Sequence, residues 1–158
     1  MTPRQQQKDL FTRRWRNVAG ATPNKEVQFQ IDLVRLVKLC KREDVTVLHI
    51  PNGEHRDIRT AAKLKAMGVL PGVSDLLFLW RRYREDSEGS WTEPGVLFME
   101  LKTPGKTASE LQIAFGLLVR TYGMDFCVVR SLDEALDELK ARNLLDPKRQ
   151  IYGRGLAR

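Results

Sequence analysis

Two apolar runs, Leu76 to Trp80 and Val96 to Leu101, the second broken only at Glu100, constrain this chain more than any other feature. Runs of this kind, without polar alternation, suit strands covered on both faces. Between them Arg81 to Pro94 is charged and reads as a long loop. If the two strands form a symmetric hairpin, the midpoint falls between Ser87 and Glu88 and Asp75 lies opposite Glu100. Directly opposed residues have Cβ atoms about 4.5–5.5 Å apart. Alternation then places Lys102 on the face of Glu100. Two carboxylates and an amine converge at one end of an apolar hairpin. Such carboxylates repel and lose hydration unless a cation neutralises them. Oxygen ligation suits Mg²⁺ or Mn²⁺, which lowers the pKa of bound water and stabilises charge on a phosphate. A neighbouring lysine orients or deprotonates that water. An E-x-K triplet alone is usually an ordinary ion pair; the register match of Asp75 singles this one out.

The remaining pattern alternates helices and strands. Glu26 to Arg42 fits both periodicities, and its length favours a helix after Thr22-Pro23-Asn24. Val45 to Ile50 is a short β-branched strand ended by Pro51-Asn52-Gly53, with His49 read as a strand-end core histidine. Asp57 to Met67 is a helix closed by Gly68. Thr107-x-x-Glu110 is a capping-box pattern before a stripe of Leu111, Ala114, Phe115 and Leu118 that ends at Gly123. Met124 to Arg130 is a strand, and Ser131-x-x-Glu134 opens a last helix with Leu132, Ala135, Leu136 and Leu139 inward. The order helix, strand, helix, strand, strand, helix, strand, helix is α/β.

Charge refines the expectation. The chain has 158 residues and a formal net charge of +7, yet the surplus sits at its ends. Residues 1–25 carry six basic residues and one acidic, and residues 145–158 carry four and one. The body between holds 17 basic and 18 acidic residues. Basic ends suggest a polyanion partner. Arg13, Arg14 and Arg16, interleaved with Phe11 and Trp15, suit either a nucleic-acid arm or an amphipathic helix packed on the body. No apolar run approaches the roughly 18 residues of a membrane helix, and no membrane partner is expected. The polar, basic start is unlike a secretory signal. Cys40 and Cys127, both in apolar surroundings, suggest reduced thiols in a cytoplasmic compartment. The histidines and cysteines show no zinc spacing. Pro104-Gly105-Lys106-Thr107 resembles the end of a phosphate-binding loop, but Glu100 stands where the required glycine should be, so no nucleotide cofactor is expected.

In order, His49-Ile50-Pro51-Asn52-Gly53, Ala62-x-Leu64-Lys65-Ala66-Met67-Gly68-Val69, Pro71-Gly72-Val73-Ser74-Asp75 and Met99-Glu100-Leu101-Lys102 resemble a VRR-NUC domain of the PD-(D/E)xK nuclease superfamily, in its short stand-alone phage or bacterial type. The resemblance spans Glu26 to about Leu139 and divides the chain into a basic arm (1–22), a nuclease domain (23–143) and a basic tail (144–158). It implies a mixed central β-sheet flanked by helices, with a restriction-endonuclease-like core. It implies a Mg²⁺- or Mn²⁺-dependent DNA endonuclease suited to branched DNA such as Holliday junctions and acting as a homodimer. In the sequence itself the Arg81 to Pro94 loop, with Tyr83 and Trp91, is a candidate interface. Asp75 and Glu100 match its metal-binding acids, the Leu101 carbonyl a further ligand, and Lys102 the catalytic lysine. Glu26 matches a supporting acid and Gln112 a glutamine near the active site. Lys106, with the three arm arginines, is a candidate DNA contact. Ser74 stands where the superfamily has proline. A non-catalytic DNA-binding module and an RNA-directed nuclease are the alternatives.

Overall fold

The computed structural model describes residues 25–51 and 58–149; the basic arm with Arg13, Arg14 and Arg16, the Asn52-Gly53 turn and the tail from residue 150 lie outside them. The described elements, in order, are α1 (Lys25–Cys40), β1 (Thr46–His49), α2 (Ile58–Ala66), β2 (Leu76–Asp86), β3 (Gly89–Leu101), α3 (Glu110–Thr121), β4 (Asp125–Val129) and α4 (Leu132–Ala141). This is the expected alternation. The four strands form one mixed sheet in the order β1-β2-β3-β4, antiparallel except for the parallel β3–β4 pair. With helices on both faces the architecture is α/β.

Three of the four helices among the described residues stop by the same device. Val69 N–H reaches back to the Leu64 carbonyl and Gly68 N–H to the Lys65 carbonyl, with Gly68 at φ 92°. Met124 with Gly123, and Leu144 with Asn143, repeat that paired closure after α3 and α4. It satisfies carbonyls that a helix end would otherwise leave without partners. Each reversal returns the chain toward the sheet.

One face of the sheet is sealed. Leu76, Phe78 and Trp80 of β2, Leu97, Met99 and Leu101 of β3, and Cys127 and Val129 of β4 are buried with Leu33 and Val37 of α1 and Ala135 and Leu139 of α4. Leu144, beyond α4, is fully buried in the same cluster. Both cysteines are free and buried, and burial pushes the Cys127 thiol up to about 12.

The other face is covered by α3 over β3 and β4. Phe115 meets Phe98 edge-on at 5.0 Å, and a Cβ at Gly116 would overlap the Phe126 ring. Toward β1 the cover thins, leaving Leu48 and Leu79 exposed. So the apolar runs are enclosed on one side and only partly on the other. The inward side of α3 is Gln112, Phe115, Gly116 and Val119; the expected stripe residues Leu111, Ala114 and Leu118 face outward.

The expected loop from Arg81 to Pro94 is a correction. The hairpin register continues from Leu76↔Met99 to Asp86↔Gly89, closing on Ser87 and Glu88. Pairing to β1 ends at Leu79 and pairing to β4 begins at Leu97, so the last seven rungs form a two-stranded ribbon beyond the rest of the sheet. Trp80 lies across Gly95 at its base, and the Arg82 guanidinium stacks 5.4 Å above the indole.

Candidate active site

The hairpin register is the one expected from its midpoint. The rung Leu76↔Met99 brings Asp75 to the level of Glu100 and Leu101, and the Asp75 Oδ2 accepts from the Leu101 N–H at 2.9 Å. Lys102 follows on the strand end, its N–H bonded to the Val129 carbonyl. Its Nζ lies 2.6 Å from Glu100 Oε1 and 3.7 Å from Glu26 Oε1. Glu26 is in the first turn of α1, a favourable place for a carboxylate. That helix start therefore overhangs the strand end carrying the lysine.

Gln112 comes from the opposite face. The capping box of α3 is not Thr107–Glu110 but Ser109–Gln112, two residues later. The Ser109 hydroxyl accepts from the Gln112 N–H, and the Ser109 N–H donates to Gln112 Oε1 at 2.8 Å. The other end of the amide, Nε2, donates to Glu100 Oε1. One side chain thus caps a helix and binds a buried carboxylate. A glutamate could not donate the second bond.

Asp75, Glu100, Lys102, Glu26 and Gln112 are brought together from four elements and their flanks. Lys106 is not: it lies exposed in the loop before α3, held by main-chain bonds to Thr103 and to the Arg130 side chain. Glu100 is fully buried, and its second oxygen, Oε2, has no hydrogen-bond partner. Burial pushes its carboxyl up to about 7; the Lys102 bond opposes this, while Asp75 and Glu26 reinforce it. Asp75 is likewise raised, chiefly by burial, against the pull of the Leu101 N–H and Lys102. For Lys102 burial acts downward, but the bond to Glu100 and the charges of Glu100, Glu26 and Asp75 carry it above the ordinary lysine value. The surrounding carboxylates thus hold the lysine as an ammonium.

His49 also departs from expectation. It is exposed, and its Nδ1 lies 2.6 Å from Gln30 Nε2 and 3.0 Å from the Asp75 carbonyl oxygen. The strand alternation gave it a place in the core. The pairing with Gln30, 19 positions away, follows from how α1 lies along β1, for which neither residue carries a local signal.

The donor set fits a hard divalent cation. A buried carboxylate oxygen without a partner is costly unless something positive meets it, and Glu100 also feels the charge of Asp75, a second raised carboxyl. Among the described residues no group of three or more His, Cys, Asp or Glu side chains is gathered at metal-holding spacing, so main chain or solvent would complete any coordination shell.

Fold and site together define a mixed α/β sheet with a carboxylate–lysine cluster at one strand end. A solved structure described as a VRR_NUC domain protein has this fold: the two align at a TM-score of 0.55 over 78% of this chain and 91% of that one, with 20% sequence identity. No protein-family model matches the chain, and no curated protein does. Among the described residues no helix is long and apolar enough to cross a membrane.

Proposed function

We propose that the chain is a Mg²⁺- or Mn²⁺-dependent endonuclease that hydrolyses DNA phosphodiesters, acts on branched DNA such as four-way junctions, and works as a homodimer. The observation that carries this reading is Glu100, a buried carboxyl with one unpartnered oxygen beside Asp75, in a fold shared with a VRR_NUC domain protein.

Asp75 and Glu100, with the Leu101 carbonyl and support from Glu26, would hold the metal. When bound, the metal supplies an acidified water and positive charge against the scissile phosphate. Lys102, already charged, orients the attacking water and faces developing negative charge; it becomes available as a base once Glu100 ceases to hold it. Gln112 fixes the Glu100 carboxylate through the helix cap. Lys106 and the basic arm supply phosphate contacts outside the cluster. The dimer reading rests on substrate symmetry, two strands needing two cuts, and on the projecting ribbon. Tyr83 and Trp91 are exposed there, but register puts them on adjacent rungs and opposite faces.

The test is incubation with duplex, single-stranded, flapped and four-way DNA and an RNA stem, in Mg²⁺, Mn²⁺ or EDTA. Metal-dependent cutting of the four-way junction, lost in Asp75→Ala with DNA binding retained, is expected. Cleavage of the RNA alone would move the reading to an RNA-directed nuclease, and no cleavage at all would sink the enzyme. Sedimentation equilibrium reports the dimer.

A further inference from the structure

Asp75 is gripped from two sides. Its carboxylate accepts from Leu101 on β3, while its carbonyl accepts from the Ile50 N–H at 2.9 Å and lies 3.0 Å from His49 Nδ1. His49 is the last residue of β1 and pairs with Leu76. The same Nδ1 lies 2.6 Å from the amide of Gln30. Gln30 sits on α1 one turn after Glu26, so the two side chains share a face of that helix.

A carbonyl oxygen only accepts. With the proton on Nδ1, that one N–H is shared between the Asp75 carbonyl and Gln30, whose amide is then turned to present its oxygen to the ring. The chain Gln30–His49–Asp75 ties the helix that brings Glu26 to Lys102 to the residue that opens β2. It adds a direct side-chain link between α1 and Asp75 to the main-chain bonds from Leu101 and Ile50 and the Lys102 contacts that already hold the two ends. The bonds are solvent-exposed, so their contribution to overall stability is small; their effect is on geometry. Residues that orient ligand groups in this way typically change metal affinity or activity by roughly 10–100-fold when removed.

We propose that His49 and Gln30 are positioning residues that set Asp75 relative to Glu26, holding the carboxylates of the site in register for a divalent cation. The inference rests on the metal-dependent reading above. Its test uses Mn²⁺ affinity, measured from the EPR signal of free Mn²⁺, beside single-turnover cleavage. His49→Ala and Gln30→Ala are expected to stay folded and to weaken Mn²⁺ binding by roughly tenfold or more. At saturating metal they should lower kcat with KM for DNA little changed. His49→Asn, whose amide nitrogen takes the place of Nδ1, should recover most of both losses. The double Ala variant should be no worse than the poorer single one, because both interrupt one chain. Variants that bind Mn²⁺ and turn over like the parent, or that lose only thermal stability, overturn the proposal while leaving the nuclease reading intact. A parent protein with neither Mn²⁺ binding nor cleavage overturns both.

Discussion

At Glu100 a carboxyl that ordinarily titrates near 4.5 is pushed up to about 7. Between those values the native protein holds a proton that the unfolded chain has released, so this residue's contribution to stability falls as pH rises through the window. Lys102, shifted upward, stays charged throughout. Glu100→Gln keeps an acceptor for Lys102 and Gln112 but cannot ionise. The variant is expected to be more stable than the parent at pH 8 by on the order of 1–3 kcal/mol, with the difference vanishing near pH 5. It should not cut DNA. Urea melts at both pH values decide it: a difference that does not change with pH would mean that Glu100 is not the group titrating. Gln112→Glu is the reciprocal experiment. The new side chain can still accept from the Ser109 N–H, so the cap survives, but it sets a second negative charge against Glu100. Metal-free protein should lose about 1–3 kcal/mol at pH 8, and less at pH 5.5, where one carboxyl takes a proton. A loss that is the same at both pH values would refute the charge contact. The acids and the lysine were legible in the sequence because a two-residue strand period fixes their side. The role of Gln112 was not, since Thr107 and Ser109 both stand three residues before a capping partner and only packing chooses between them.

Among elements, the turn at Pro71-Gly72 couples the two halves of the site. Gly72 has φ 86°, and a Cβ there would come within 2.5 Å of the Leu111 carbonyl oxygen and 3.0 Å of the Gln112 nitrogen. The turn that launches Asp75 thus rests on the backbone that carries Gln112. Gly68 has a similar φ of 92° with nothing within 4 Å of its would-be Cβ. An alanine at either position costs about 1–3 kcal/mol for the backbone alone. Gly72→Ala must also displace the start of α3. It is therefore expected to destabilise more than Gly68→Ala and to slow cleavage, while Gly68→Ala cuts at the parental rate. Equal melting temperatures and equal rates for the two would dismiss the coupling. The ribbon shows where pattern reading ends. A hairpin projecting beyond its sheet has no buried face to impose an apolar period, so Arg81 to Pro94 carries the composition of a loop while keeping strand register. Its register was nevertheless fixed from the midpoint, because a two-residue turn leaves no slack.

Across the whole molecule, charge and chemistry are separated. Residues 26–144 hold 17 basic and 18 acidic side chains, and the cluster itself gathers three carboxylates around one ammonium, so the body does not attract a polyanion by net charge. The basic surplus lies in the ends of the chain. Deleting residues 1–21 removes five basic residues and one acidic and leaves every residue of the cluster in place. If those cations lie on phosphates, DNA affinity falls and the slope of log K against log salt shrinks by about 0.9 for each phosphate that the truncation no longer neutralises. Single-turnover cleavage at saturating DNA should hold at the parental rate if, as proposed, the groups that meet the scissile phosphate belong to the body. An affinity loss with an unchanged salt slope would instead assign Phe11 and Trp15 to packing. A cleavage rate that falls with the slope would place the arm beside the scissile phosphate and make it part of the chemistry. Titration of a four-way junction at several salt concentrations, for the full chain and the truncation, separates these outcomes.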